Sequence, residues 1–211
     1  MINVLYIHGM GGGSDSRIPS MLHAALEPYG VDVIARTYDF NPSAAALQIE
    51  SWVEELNPAL IIGESLGALH AIRIKGVPHL FVSPALNAPI FLYALGWMTF
   101  IPGVTWLFDR IYRPREGDRQ ALHFNFSNLK GYLSHRKSAL ENSVRNGSKD
   151  VFFAFFGSRD HYRNSGIVSV RTWKKYFGNS FDVYDGTHFM EEEYVYSKLT
   201  PMIVNILNIN K

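Results

Sequence analysis

The sequence contains no cysteine among its 211 residues. That excludes disulfides, a thiolate nucleophile and any zinc or iron–sulfur centre held by thiolates. It has no surplus of one charge either. Twenty Lys and Arg face 19 Asp and Glu, a formal net charge of +1, so no chain-wide attraction draws it to nucleic acid and no nucleic-acid partner is expected. The eight histidines form no HExxH pattern, which removes a common helical zinc site, and neither a metal nor an organic cofactor is expected. Internal repeats and low-complexity tracts are absent. The chain enters an apolar run at once, MINVLYIHG, without the basic stretch and small-residue cleavage site of a signal peptide, and a cytoplasmic location is the expectation. With 47% hydrophobic and 18% charged residues, the composition is globular, and the length fits a single domain over 1–211.

Uninterrupted apolar sequence is scarce, with one exception. Residues 76–108 carry no Asp, Glu, Lys or Arg, and the second half, APIFLYALGWMTFIPGVTWLF, is about as long as a membrane span. Pro89, Gly96, Pro102 and Gly103 interrupt it, and the preceding HLFVSPALN reads as a buried strand with its loop. The expectation is therefore a lid or pocket wall rather than a spanning helix, with Phe91, Trp97 and Trp106 as candidate lining residues. A peripheral membrane contact is the alternative. The following stretch, 109–149, has nine Lys or Arg against four Asp or Glu. Arg110, Arg113, Arg115 and Arg119 read as a solvated face interleaved with Asp109, Glu116 and Asp118, or else as cations that greet a carboxylate or phosphate.

Elsewhere the chain alternates short apolar strands with helices. INVLYIH (2–8) leads through a Gly-rich turn to a helix opened by Ser16 and Pro19 and running to about Tyr29. VDVIARTY (31–38) is strand-like. Asn41, Pro42 and Ser43 start a helix of about 15 residues that ends before Pro58. ALIIG (59–63), HLFVS (79–83), VFFAFFG (151–157) and FDVYDG (181–186) read as further strands. Between them lie the helices SLGALHAIRIK, 166–177 and a closing helix from about Glu191 to Leu207. Strands of this kind separated by helices imply a parallel sheet covered on both faces, and right-handed crossovers give a doubly wound α/β, mainly parallel six-stranded sheet. The rhythm breaks at about 85–148, which reads as a helical insertion.

The strongest chemical signal is Gly63-Glu64-Ser65-Leu66-Gly67, a GxSxG string between an apolar strand and a helix. Such a turn is tight, so small residues are needed two before and two after the serine. Gly157-Ser158-Arg159-Asp160 follows a later strand, and Gly186-Thr187-His188-Phe189 follows the last one. In an open parallel sheet all three loops lie along the carboxyl ends of the strands, where ligands bind, so Ser65, Asp160 and His188 can converge. Asp185, three residues before His188, and His161, beside Asp160, are the rivals for acid and base.

With these residues in place the sequence resembles the α/β-hydrolase superfamily. More narrowly, YIHGMGGG, GESLGALHA, FVSPALNAP, GSRDHYR and DGTHF resemble the small YqiA-like bacterial esterases, a compact form of the fold. The resemblance covers both ends of the chain and is weak across 90–145. It implies Ser65 as nucleophile, His188 as general base and Asp160 as the group that orients the imidazole, roles that a weakly nucleophilic hydroxyl requires in any case. It further implies an oxyanion hole from the backbone N–H groups of Met10 and Leu66. HGMGGG is not a phosphate-binding turn of known pattern, because no GK[ST] follows and Ser14 takes the last position of GxGxxG. His8 is expected to be a structural hydrogen-bonder. The function implied is hydrolysis of a small-molecule carboxylic ester through an acyl-enzyme. A thioesterase, an acyltransferase or a catalytically silent binding protein would keep the same fold.

Overall fold

The structure is a computed structural model describing residues 1–113, 117–145 and 152–209. Six strands form one all-parallel sheet: β1 (Ile2–Ile7), β2 (Val31–Ala35), β3 (Leu60–Glu64), β4 (His79–Val82), β5 (Phe152–Gly157) and β6 (Phe181–Tyr184), in spatial order β2-β1-β3-β4-β5-β6. The chain first moves outward from β1 to β2, then returns to the other side of β1 with β3. That reversal makes the β1/β3 boundary the switch point, where loops leave in opposite directions and open a crevice at the carboxyl ends. The two strands run level there, with Ile7 opposite Gly63.

Alternation along each strand feeds two cores. Leu5, Ile7, Ile61, Phe81 and Phe156 face one side, with Tyr38, Phe40, Leu69, Leu129 and Trp173. Val4, Tyr6, Leu60, Ile62, Leu80, Val82 and Phe155 face the other, with Leu22, Leu26, Val195 and Ile203. Both faces are thus sealed, which is why the strands read as continuous apolar runs rather than as alternating ones. On the second face lie α1 (Arg17–Leu26), continued by a 3-10 turn Glu27–Tyr29, and the closing helix. The latter comprises α9 (Glu192–Tyr194), a π-helical turn Val195–Leu199 and α10 (Thr200–Ile206). The first face carries α2 (Pro42–Leu56), α3 (Gly67–Ala71), α6 (Phe126–Arg145) and α8 (Val170–Phe177). Asn41 caps α2 by accepting from the N–H groups of Ser43 and Ala44, and Pro42 occupies its first turn, as expected from those residue types.

The sequence reading overextends several elements. The strand expected over 31–38 stops at Ala35, because Tyr38 turns inward to donate its hydroxyl to the carbonyl of His8 (2.7 Å). The helix after Ser65 is regular only to Ala71. The helix expected over 166–177 starts only at Val170, as α8, because Ser169 caps it by accepting from the N–H of Thr172, and a further short helix, α7 (His161–Asn164), precedes it where none was expected. Val151, Arg115, Glu116 and the end of the insertion at 146–149 lie outside the described residues. The insertion holds α4 (Ala88–Gly96), a 3-10 turn Trp97–Phe100, α5 (Val104–Ile111) and α6, with an irregular stretch over 117–125 that makes an isolated antiparallel bridge from Arg119 to Gly13.

Candidate active site

Ser65 sits where β3 turns into α3, with φ of +49°, the left-handed region that a side chain other than glycine seldom adopts. Its N–H donates to the carbonyl of Val82 (2.9 Å), and its own carbonyl accepts from Ala85 (3.0 Å), which ties the turn to the loop after β4. The flanking glycines are needed for close approach. A Cβ on Gly67 would collide with the carbonyls of Ile7 and His8, and one on Gly63 would come within 2.8 Å of the Cα of Ala68. The strained serine is thus fixed by its neighbours.

Asp160 and His188 arrive from the carboxyl ends of β5 and β6, beyond β4. The loops after β5 and β6 are zipped together: Ser158 donates its N–H to Tyr184 (2.8 Å) and Arg159 to Gly186 (2.8 Å). Glu191 accepts from the N–H of Thr187 (2.9 Å), holding the residue before His188. The result is a linear array. The Ser65 Oγ lies 2.9 Å from Nε2 of His188, and Nδ1 of His188 lies 2.8 Å from Oδ2 of Asp160. Asp160 and His188 are buried. The other carboxylate oxygen, Oδ1, accepts from the N–H of Tyr162 (2.8 Å), so Asp160 also caps α7 and cannot swing away without loss of that bond. The Tyr162 ring packs edge-on against the imidazole, with centroids 4.6 Å apart. Asp185, the rival acid, points to solvent and engages Arg159 (3.0 Å) and the Ser158 hydroxyl (3.2 Å), not His188. His161 stacks on Tyr162, its ring centroid 6.4 Å from that of His188.

Across the switch point lies the Gly-rich loop. Gly9 approaches the serine so closely that a Cβ there would meet the Cβ of Ser65 at 3.0 Å. Among the described residues, no hydrogen bond is made by the N–H of Met10 or of Leu66, and both residues line the same cavity as the Ser65 hydroxyl. His8 is structural, as expected: it is fully buried, its Nδ1 is 2.7 Å from the carbonyl of Gly9, and it stacks on Tyr38 at 4.3 Å. Burial lowers its pKa to about 4.

The cavity measures about 680 Å³. Ser65, Leu66, His188 and Met10 line it together, and Ala85, Ala88, Phe91, Leu92, Leu95 and Ile167 form an apolar wall. Of the three residues expected to line it, Phe91 does, whereas Trp97 and Trp106 stand outside and are 57% and 64% exposed. The reason is helical phase. On α4, Ala88, Leu92 and Leu95 turn inward while Trp97, beyond its end, packs on Tyr93, Phe100 and Phe126. Arg119 lines the cavity but is bound to Asp15 (2.9 Å), and the Arg110 guanidinium lies over the Trp106 ring.

Two features escape the motif reading. Glu64, the variable residue of GESLG, is buried in the cavity wall and accepts from the Tyr6 hydroxyl (3.0 Å). Burial raises its pKa, opposed by that hydrogen bond and by the nearby His188. Residues 118–120 of the insertion clamp the Gly-rich loop. Gln120 donates its N–H to Gly12 (2.7 Å), accepts from the N–H of Gly11 (3.1 Å) and donates its amide to Tyr38 (3.1 Å). Asp118 accepts from Ser14 (2.6 Å) and Thr37 (2.7 Å). An acidic residue inside GxSxG is visible in sequence, but the clamp joins residues 81 to 109 positions apart and has no local signal. Among the described residues no cluster of His, Asp and Glu is arranged to hold a metal.

No protein-family model matches the chain, and no curated protein matches it. Solved structures do. The monoacylglycerol lipase of Paleococcus ferrophilus is 19% identical with a TM-score of 0.64, covering 99% of this chain and 95% of that one. Est1E from Butyrivibrio proteoclasticus, solved with ferulic acid, is 15% identical at 0.67, over 99% and 90%. The mouse alpha/beta hydrolase domain-containing protein 10 is 16% identical at 0.65, over 98% and 89%. With its six parallel strands, its reversal between β1 and β3 and these neighbours at nearly full length, the chain has the α/β-hydrolase fold.

Proposed function

We propose that the protein is a serine hydrolase that cleaves a small carboxylic ester through an acyl-enzyme. The observation that carries this reading is the unbroken array Ser65–His188–Asp160, with contacts of 2.9 and 2.8 Å, at the end of an apolar cavity. A serine hydroxyl is a poor nucleophile alone, and a base within hydrogen-bond reach activates it. In this reading His188 Nε2 takes the proton as Ser65 Oγ bonds to the ester carbonyl carbon. Asp160, holding Nδ1–H, fixes the tautomer that leaves Nε2 free to accept and then stabilises the imidazolium.

The carbonyl oxygen, now negatively charged, is received by the N–H groups of Met10 and Leu66, which need no reorganisation to reach it. Collapse of the tetrahedral intermediate breaks the ester bond, and His188 returns its proton to the departing alkoxide. Water then repeats the sequence on the acyl-enzyme, releases the carboxylic acid and restores Ser65. The apolar wall from Ala85 to Leu95 suits the acyl chain, and the motif resemblance to small bacterial esterases points to the same chemistry.

The test is hydrolysis of a p-nitrophenyl ester series, acetate to octanoate, by the wild type and Ser65→Ala. The expected result is a kcat/KM that rises with acyl length until the cavity is full, by about fourfold per methylene at 0.8 kcal/mol each. In Ser65→Ala it falls by roughly five orders of magnitude. Equal activity in the variant would end the proposal.

A further inference from the structure

Ten large apolar side chains between positions 90 and 112 are exposed: Ile90, Phe91, Trp97, Met98, Phe100, Ile101, Trp106, Leu107, Ile111 and Tyr112. They are ordered. Ile90, Phe91, Ala94, Trp97 and Met98 follow the helical interval along the outer side of α4 and its 3-10 extension, and Trp106, Leu107 and Ile111 follow it on α5, which buries none of its residues. A monomer in water rarely leaves so much contiguous apolar surface uncovered.

We infer that this face docks peripherally on an anionic lipid surface. Three observations select lipid as the occupant. The first is charge. The patch itself has no charged residue before Asp109, while Arg110 lies over the Trp106 ring (5.5 Å) and Lys130 over Phe126 (5.9 Å), the ring that packs on Trp97 and Phe100. Cations thus stand beside the aromatic residues, where lipid phosphates meet the acyl boundary. The second is residue type: two of the four tryptophans project from this face, and an amphipathic indole favours the headgroup level. The third is continuity. Phe91 belongs both to the exposed stripe and to the cavity wall, and Met10 and Phe189, also exposed, line the same cavity. An apolar molecule can therefore pass from lipid to Ser65 along a mostly apolar path.

The contact is peripheral by geometry. The nine residues of α4 span about 14 Å, half a hydrocarbon core, and no described helix is long and apolar enough to cross a membrane. The docking does not depend on the proposed hydrolysis, so Ser65→Ala should bind lipid as well as the wild type.

Flotation of the full chain with vesicles of phosphatidylcholine alone, and of phosphatidylcholine with phosphatidylglycerol, tests the inference. The expected result is strong flotation with the anionic vesicles and a blue shift of tryptophan emission. Arg110→Gln should weaken anionic binding about fivefold. The double change Trp97→Ser with Trp106→Ser should lower it by more than about tenfold, while thermal melting and hydrolysis of the soluble acetate ester stay as in the wild type. Absence of flotation on both vesicles, or undiminished flotation of the double variant, would overturn the inference. So would a concentration-dependent dimer, seen by sedimentation and dissolved by the same double change without any flotation, since the face would then be covered by a second copy of the chain.

Discussion

Phe156 and Trp106 are both large aromatic residues in apolar surroundings of sequence, yet one is sealed under the sheet and the other stands in solvent. The two regions they represent, the carboxyl edge of the sheet and the helical excursion between β4 and β5, use apolar residues for different ends. At the edge, the loops that present Ser65, Asp160 and His188 are tied by backbone hydrogen bonds to their neighbours, and the glycines at 63, 67 and 157 admit backbone where a Cβ would collide. In the excursion, one side of α4 closes the cavity and the other is bare. Hydrophobicity in a sequence signals burial only when the fold supplies a surface to cover it, and α4 meets that condition on one side.

The sharpest break in the comparison comes from the two aspartates near His188. Asp160→Asn should lower kcat by roughly four orders of magnitude by favouring the wrong imidazole tautomer, whereas Asp185→Asn, whose carboxylate faces solvent and Arg159, should leave kcat within about twofold. The reverse ranking would move the acid to Asp185.

Acid titration probes both regions at once. His8 beneath the Gly-rich loop and His135 on α6 are buried, and burial lowers the pKa of each to about 4, against an ordinary value of 6.5. Between those values the unfolded chain binds more protons than the folded one, so their contribution to stability is complete above pH 6.5 and is lost as pH falls to 4. Each should account for on the order of 3 kcal/mol of that loss. Urea melts of the wild type and His135→Gln across this range check the sign and the share: the variant should lose less stability on acidification.

A smaller effect distinguishes the two sides of the excursion. Phe91→Ala should reduce kcat/KM for octanoate by about three- to tenfold while sparing acetate, since removing a cavity-wall ring forfeits acyl contact of about 1 kcal/mol. Trp97→Ala should leave that dependence on acyl length unchanged. If Trp97 matters as much as Phe91, the cavity extends farther than its described lining.

Much of this arrangement was legible in the sequence because it is written locally. GESLG, GSRD and DGTH each combine a reactive residue with the small residues that its turn requires, and the strand before each places it at the same sheet edge. The ends of β1, β2, β4 and β6 are read one to three residues long; for β2, nothing local says that Tyr38 leaves the sheet to bond His8. The start of α8 is read four residues early for a similar reason, since the Ser169 cap lies inside a run that otherwise looks helical, and the single turn of α7 is too short to show a periodicity. Trp97 and Trp106 were expected in the pocket because composition alone reveals no helical phase relative to a cavity. The Gln120 clamp was invisible, since it depends on the return path of a segment whose closure no motif announces.

The proposed chemistry requires Ser65 to be a nucleophile rather than a strained turn residue. Reaction of the purified protein with a fluorophosphonate, followed by mass mapping of the adduct, tests this directly. One stoichiometric adduct is expected on the peptide containing Ser65, lost in Ser65→Ala and strongly slowed in His188→Ala. No adduct, or an adduct on another serine such as the buried, positive-φ Ser83, would contradict it.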